Sequence, residues 1–163
     1  DMLSINTSLS MGNWTWNSNI ENVTVFDDYN RGGETETISI YTKGIHVGGA
    51  PQTQMSLGLN IKPMKGFVIY PVVKIFDNMY ANFDPTGRTS PDGEDSYKAD
   101  AATVMDLHIN YKLGESFNVG LHALNLSDAE YVNSSYGGGS TKEDVEVFYG
   151  LGRRINFSLG VNF

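Results

Sequence analysis

The side chains able to do chemistry in this 163-residue chain recur at every second position. Asp106, His108, Asn110 and Lys112 alternate with Met105, Leu107, Ile109 and Tyr111. Asn118 and His122 alternate with Phe117, Val119, Leu121 and Ala123, and Arg154 opens a last run of the same kind. Residues two apart share one face of a strand, so these groups line one polar surface. Pairing across the Gly114 turn is expected to set Asp106 opposite His122. Such a surface could form a path for a polar solute or a contact for another segment. Its bland alternative, which the residues favour, is a solvated wall with incidental ion pairs worth little individually. The chain has no Gly-x-Ser-x-Gly, no cysteine and no phosphate loop, so neither catalysis nor a cofactor is expected. No His, Asp and Glu spacing suits a metal. Asp92-Gly93-Glu94-Asp95 offers oxygen donors to a hard cation such as Ca²⁺, but reads better as a solvated acidic loop. Tyr80, Tyr97, Tyr131 and Tyr136 lie in or beside long polar segments and could stack on a sugar or a siderophore; Phe148 and Tyr149 suit an interface girdle instead.

The elements that must carry these groups read as strands. Residues 3–11, 54–61, 67–75, 105–112, 117–123 and 154–163 each alternate apolar and small polar side chains. Residues 14–25 do so more weakly, with Ser18 and Asn22 on the apolar side, where a bulge or an early exit from the membrane is expected. Gly12-Asn13 is a two-residue hairpin signal that would pair residues 3–11 with residues 14–25. Pro71 removes a ladder donor and is expected beside a bulge. That makes about seven strands, each near the length of a tilted membrane crossing. The connections then alternate short and long, and most acidic residues fall in the long ones. The polar faces are Ser, Asn, Gly, His and Thr rather than Lys and Glu, unlike a soluble surface. No apolar run approaches the roughly 20 residues of a membrane helix. The net charge of −8 argues against a nucleic-acid partner.

The expected fold is therefore all-β, a transmembrane antiparallel β-barrel with lipid outside and water inside. Trp14, Trp16, Phe67, Tyr111, Phe117 and Phe163 would form an interface girdle on the short-turn side. An odd count near seven, against the even counts of bacterial single-chain barrels, predicts that further strands lie upstream. The expected location is the bacterial outer membrane, with long loops extracellular and short turns and C-terminus periplasmic.

Three stretches carry a family resemblance. Gly44-Ile45-His46-Val47-Gly48-Gly49-Ala50-Pro51 resembles a glycine-to-proline entry into a late strand. Leu124-Asn125-Leu126-Ser127-Asp128-Ala129-Glu130-Tyr131 resembles an "N-L-x-D-x-x-Y" segment. Tyr149-Gly150-Leu151-Gly152-Arg153-Arg154 resembles a "G-R" entry into the terminal strand. In this order they are similar to the C-terminal end of TonB-dependent outer-membrane receptors, most like those of the Bacteroidota. The resemblance implies a barrel of about 22 strands with an N-terminal plug. Residues 1–163 would be a C-terminal part of that one barrel domain, with the plug and earlier strands outside this chain. It implies uptake of a scarce ligand (siderophore, cobalamin, glycan or peptide class), energised by the TonB complex acting through the N-terminal part. Implied partners are the rest of the barrel, the plug, the TonB complex, outer-membrane lipid and lipopolysaccharide, and a surface lipoprotein. That lipoprotein belongs to a glycan-importing branch that commonly has Pro before its terminal Arg, whereas Gly152 precedes Arg153 here. The alternative is a structural or adhesive barrel that displays its loops without transport.

Overall fold

A computed structural model describes residues 2–26 and 35–162. Phe163, expected as an interface anchor, lies outside the described residues. In chain order the strands are β1 (Leu3–Met11), β2 (Ile20–Phe26), β3 (Thr35–Ile40), β4 (Thr53–Met64), β5 (Phe67–Asp77), β6 (Met79–Tyr80), β7 (Lys98–Ala99), β8 (Ala102–Leu113), β9 (Phe117–Leu124), β10 (Val132–Tyr136), β11 (Glu146–Tyr149) and β12 (Arg154–Val161). Six of them form one antiparallel sheet in the order β1-β4-β5-β8-β9-β12. The short pairs β2-β3, β6-β7 and β10-β11 stand in the three long connections.

Alternation explains the sheet. Ile5 pairs with Leu59, Leu9 with Met55, Ile69 with Ile109, Leu121 with Phe157 and Val119 with Leu159. Directly opposed residues share a face, so one face is apolar across all six strands. The other face collects Ser8 and Ser56, Asn6 and Gly58, Asn110 and Gly120, and Ser158. The apolar face is left uncovered: Ile5, Ile155, Phe157 and Leu159 are each more than 60% exposed. A soluble sheet would bury that face, whereas a continuous exposed apolar surface of this extent marks a membrane or partner contact. Burial is concentrated at the long-connection end, where Ile40, Ile45, Met79, Ala81, Phe83 and Ala99 pack together with the buried polar residues Thr42, Gln52, Arg88 and Ser96.

Several expectations are corrected. The main sheet has six strands rather than about seven, because residues 14–25 do not join it. Gly12-Asn13 does not close a hairpin; β1 pairs directly with β4, with Leu3 opposite Ile61 and Met11 opposite Thr53. Gln52 diverts the chain after Gly12. Its carbonyl accepts the Gly12 N–H at 2.8 Å, its side-chain oxygen accepts the Trp14 N–H at 2.7 Å, and its amide donates to the Trp14 and Val47 carbonyls. Trp14 and Trp16 therefore sit at the long-loop end and not in the short-turn girdle, with Trp16 6.3 Å from Phe83. Phe67, Tyr111 and Phe117 do lie beside the short turns, Phe67 edge-on to Tyr111 at 5.5 Å. The first and last strands of the sheet run in opposite directions, since five antiparallel pairings link them. The connections still alternate, now long, short, long, short, long.

Local chemistry sets the details. Gly66 at φ +81 and Gly114 at φ +63 take left-handed turn positions that suit glycine. The β2-β3 register slips between Ile20 and Val23, where Asn22 adopts φ 58, the bulge expected of that weak stretch. Pro71 pairs with Leu107 without a bulge of its own. On the other side the β4-β5 ladder lacks pairs at Leu59 and Asn60, and its register shifts between Ile61 and Met64, the neighbouring irregularity expected near Pro71.

Candidate functional site: the polar sheet face and the loop roots

The polar face gathers most of the chemistry-bearing residues. His108 stands directly opposite His122, Lys112 opposite Asn118 and Asn110 opposite Gly120. The expected Asp106–His122 pairing does not form. The turn spans residues 114–116, so the register slides by two and His108 takes that place. A slide of two keeps every side chain on its face while changing its neighbour. The two imidazoles meet Nδ1 to Nδ1 at 3.0 Å, one nitrogen donating and the other accepting. Tyr70, opposite His108 on β5, lies 6.2 Å from its ring at an interplanar angle of 29°.

Asp106 is an anchor rather than part of an open path. It is 6% exposed. One carboxylate oxygen accepts from Lys74 Nζ at 2.6 Å and the other from the Asn125 N–H at 2.9 Å. Lys74 and Tyr70 share the polar parity of β5, a signal the alternation of residues 67–75 already carries. Arg154 is exposed at the start of β12, opposite Leu124.

Asn125 begins a clamp that joins two of the three family-like stretches. Its amide donates to the Ala129 and Leu151 carbonyls at 2.8 and 3.1 Å, and its oxygen accepts the Ala129 N–H at 2.9 Å. Asp128 accepts the Arg153 N–H at 2.7 Å. Tyr131 lies over Gly150, where any Cβ would collide with the phenol ring, and its carbonyl accepts the Gly150 N–H at 2.8 Å. Asn125 and Asp128 hold left-handed backbone, φ 49 and φ 56, a conformation Asn and Asp tolerate. The N-L-x-D-x-x-Y segment and the G-R segment are thus each other's binding partners at the base of the last long connection.

The third stretch roots the first long connection. His46 donates its N–H to Asp95 Oδ1 at 2.9 Å, and its ring contacts Asp95 Oδ2 at 2.6 Å and Asn13 Oδ1 at 2.9 Å. Tyr80 stacks on that ring at 4.0 Å, nearly parallel. Partial burial pushes the Asp95 carboxyl up, but the hydrogen bonds from His46 and Ser96 outweigh it and hold the carboxyl below its ordinary range. Asp95 and Glu94 are thereby committed to loop contacts, Glu94 accepting from the Ser140 hydroxyl and, through its carbonyl, from Arg88 at 2.7 Å. Arg88 also lies over the Phe83 ring at 4.6 Å, and its burial disfavours the charged form. The four candidate tyrosines do not converge. Tyr80 and Tyr131 are used in packing, Tyr97 is half-buried and its burial raises its phenol, and Tyr136 is exposed.

No known protein-family profile matches the chain, and no curated protein sequence does. Solved structures do. A chain in the FpvAI–pyocin S2 complex superposes with a TM-score of 0.54 at 18% identity, covering 78% of this chain and 16% of that one. The ferric-catecholate import receptor Fiu from E. coli K12, in its closed form, superposes with a TM-score of 0.54 at 16% identity, covering 89% of this chain and 24% of that one. At these identities the likeness shows the fold alone, an all-β barrel of which this sheet forms a part. This chain spans at most about a quarter of either neighbour's length.

Proposed function

We propose that the chain is the C-terminal part of the barrel of a TonB-dependent outer-membrane transporter, not an enzyme, and that the whole protein takes up a scarce ligand. The observation that carries this reading is the sheet itself. One face is apolar and exposed across six strands, and every long connection lies at one end. The likeness to two receptor barrels supports the same reading. β1 and β12 are edge strands, and an edge in lipid leaves backbone groups unsatisfied at several kcal/mol apiece. They would pair with the remaining strands of the same barrel, around a plug that meets the TonB complex. The long loops would be extracellular and the short turns periplasmic, in a bacterium of the Bacteroidota type. The ligand would be of the siderophore, cobalamin, glycan or peptide class. A surface lipoprotein partner would accompany a glycan ligand only.

The test is a deletion strain grown under limitation for iron, cobalamin or a single glycan or peptide source. The reading expects a growth defect on one of these, reproduced by inactivating TonB. Unimpaired growth on all, with loss of surface adhesion, would instead favour a barrel that only displays its loops.

A further inference from the structure

We propose that the polar face carries a site for a divalent transition metal of the Cu²⁺ or Ni²⁺ kind, chelated by Nδ1 of His108 and Nδ1 of His122. The site rests on the reading that this face lines an aqueous barrel interior. The two nitrogens are 3.0 Å apart. Metal–imidazole bonds run about 2.0–2.1 Å, and two of them at a right angle place their nitrogens about 3.0 Å apart. A tetrahedral angle would need about 3.3 Å; 3.0 Å is also the ordinary N–H···N distance, so the choice of Cu²⁺ or Ni²⁺ rests on their place near the top of the divalent affinity order for imidazole ligands.

The rings are held for this. His108 and His122 are directly opposed across a regular ladder in the middle of the sheet, and Tyr70 flanks the His108 ring. Behind His122, the absent side chain of Gly120 leaves a space bordered by three polar atoms. A Cβ there would lie 2.8 Å from His122 Nε2, 3.1 Å from Asn110 Oδ1, and against Ser158 Oγ. When both Nδ1 atoms bind metal, each ring carries its proton on Nε2. The His122 Nε2–H then borders the same small space as the Asn110 and Ser158 oxygens, room enough for a water to link them. Among the described residues no group of three or more His, Asp and Glu side chains converges on a metal position. The pair therefore supplies two ligands and leaves the others to water or to a chelator carried on the metal. That makes it a place where a metal complex pauses, not a structural site.

This chain has three histidines, and the third, His46, sits in the loop cluster, which provides an internal control. The full outer-membrane protein, without a histidine tag and in detergent micelles, is titrated with Cu²⁺ and followed by electron paramagnetic resonance. The expectation is a Cu²⁺ signal with nitrogen coupling from two imidazoles that depends on both His108 and His122. His108→Gln and His122→Gln should each weaken binding at least about tenfold, the loss typical of removing even an outer-shell partner. His46→Gln should leave it unchanged, and Ca²⁺ should not compete, because it selects oxygen donors. Undiminished binding in either glutamine variant, or competition by Ca²⁺, overturns the site. Where a variant fails to assemble, diethyl pyrocarbonate modification of the native protein reads the same point. Cu²⁺ should protect His108 and His122 together; equal modification with and without Cu²⁺ refutes the proposal. Labelling of Ser158→Cys by a water-soluble thiol reagent reports separately whether this face meets water. A labelled cysteine without Cu²⁺ binding removes the metal site alone, and an unlabelled one removes the interior reading beneath it.

Discussion

Replacing Asn125 with alanine tests whether the two family-like stretches hold each other. The substitution deletes three side-chain hydrogen bonds, to the Ala129 N–H, the Ala129 carbonyl and the Leu151 carbonyl. Each contributes about 0.5–1.5 kcal/mol net. Ala129 is half-buried and Leu151 is exposed, so water partly replaces the lost partners. About 0.7 kcal/mol apiece, in the lower part of that range, gives about 2 kcal/mol in all. Alanine at φ 49 adds about 1 kcal/mol of left-handed backbone strain. The sum of about 3 kcal/mol corresponds to about 150-fold easier local opening at 1.4 kcal/mol per decade. Asn125→Gly removes the same bonds without the backbone strain, so about 2 kcal/mol and about 30-fold are expected.

Amide hydrogen exchange of the assembled barrel measures this directly. The Ala129, Gly150 and Arg153 amides should speed up by those factors, because they donate within the clamp to Asn125 Oδ1, the Tyr131 carbonyl and Asp128 Oδ1. Amides around the Gly114 turn, at the opposite end of the sheet, should not change. Exchange within a few-fold of the parent in Asn125→Ala would refute the clamp. Equal effects of alanine and glycine would refute the backbone part of the argument. Acceleration reaching the Gly114 end would mean that Asn125 supports the whole sheet rather than a loop root.

Three further outcomes are expected. Leu107→Arg, mid-strand on the apolar face opposite Pro71 and Ala123, should cost about 2–4 kcal/mol in lipid and block assembly, read as lost heat-modifiable mobility on gels; Asn110→Arg on the polar face should assemble, and equal damage from both would reverse the faces. Gly150→Ala should destabilise the last loop by about 1–3 kcal/mol through collision with the Tyr131 ring, and adding Tyr131→Ala should recover part of that loss in a double-mutant cycle of protease resistance. The Asp95 carboxyl lies below its ordinary value of 3.8 through its bonds to His46 and Ser96. Its contribution to the first loop root is therefore complete above pH 3.8 and lost as pH falls through the folded-state value. Protection of the His46 amide should fall over that acidic window in the parent and be flat in Asp95→Asn; parallel curves would refute the assignment.

Face assignment was legible in the sequence because it depends only on parity. Leu3 to Met11, apart from Thr7, and Ile155 to Val161 are apolar at odd positions, and no neighbour is needed to know that these side chains share a face. Neighbour assignment was not legible, for two separate reasons. Across Gly114 the register differs by two from the expected one, and a shift of two leaves every apolar residue apolar-side; the alternation that reveals the sheet is blind to the slip that brings His108 to His122. After Gly12 the failure is of range. Gly12-Asn13 is a sound local turn signal, but Gln52, 38 residues beyond Trp14, captures the Trp14 backbone with its buried amide. Competition between a local hairpin and a distant side-chain clamp is decided by contacts that no short window contains.

The same reasoning explains where the family-like motifs fall. A membrane strand needs an apolar face and a small polar face, and many sequences meet that demand, so a sheet can keep its path at 16–18% identity. The base of a long loop is less permissive. It needs a residue that accepts φ 49 while bonding three backbone groups, as Asn125 does, and a position without Cβ under an aromatic ring, as at Gly150. It needs a carboxylate that fixes a distant backbone N–H, as Asp95 does for His46 and Asp128 for Arg153. All three recognisable stretches lie at such roots, two of them locked together. The motifs therefore report how loops are mounted on a barrel. What the loops and interior bind is written in positions with no such constraint, and on this chain the His108–His122 pair is where that freedom has produced a defined chemical geometry.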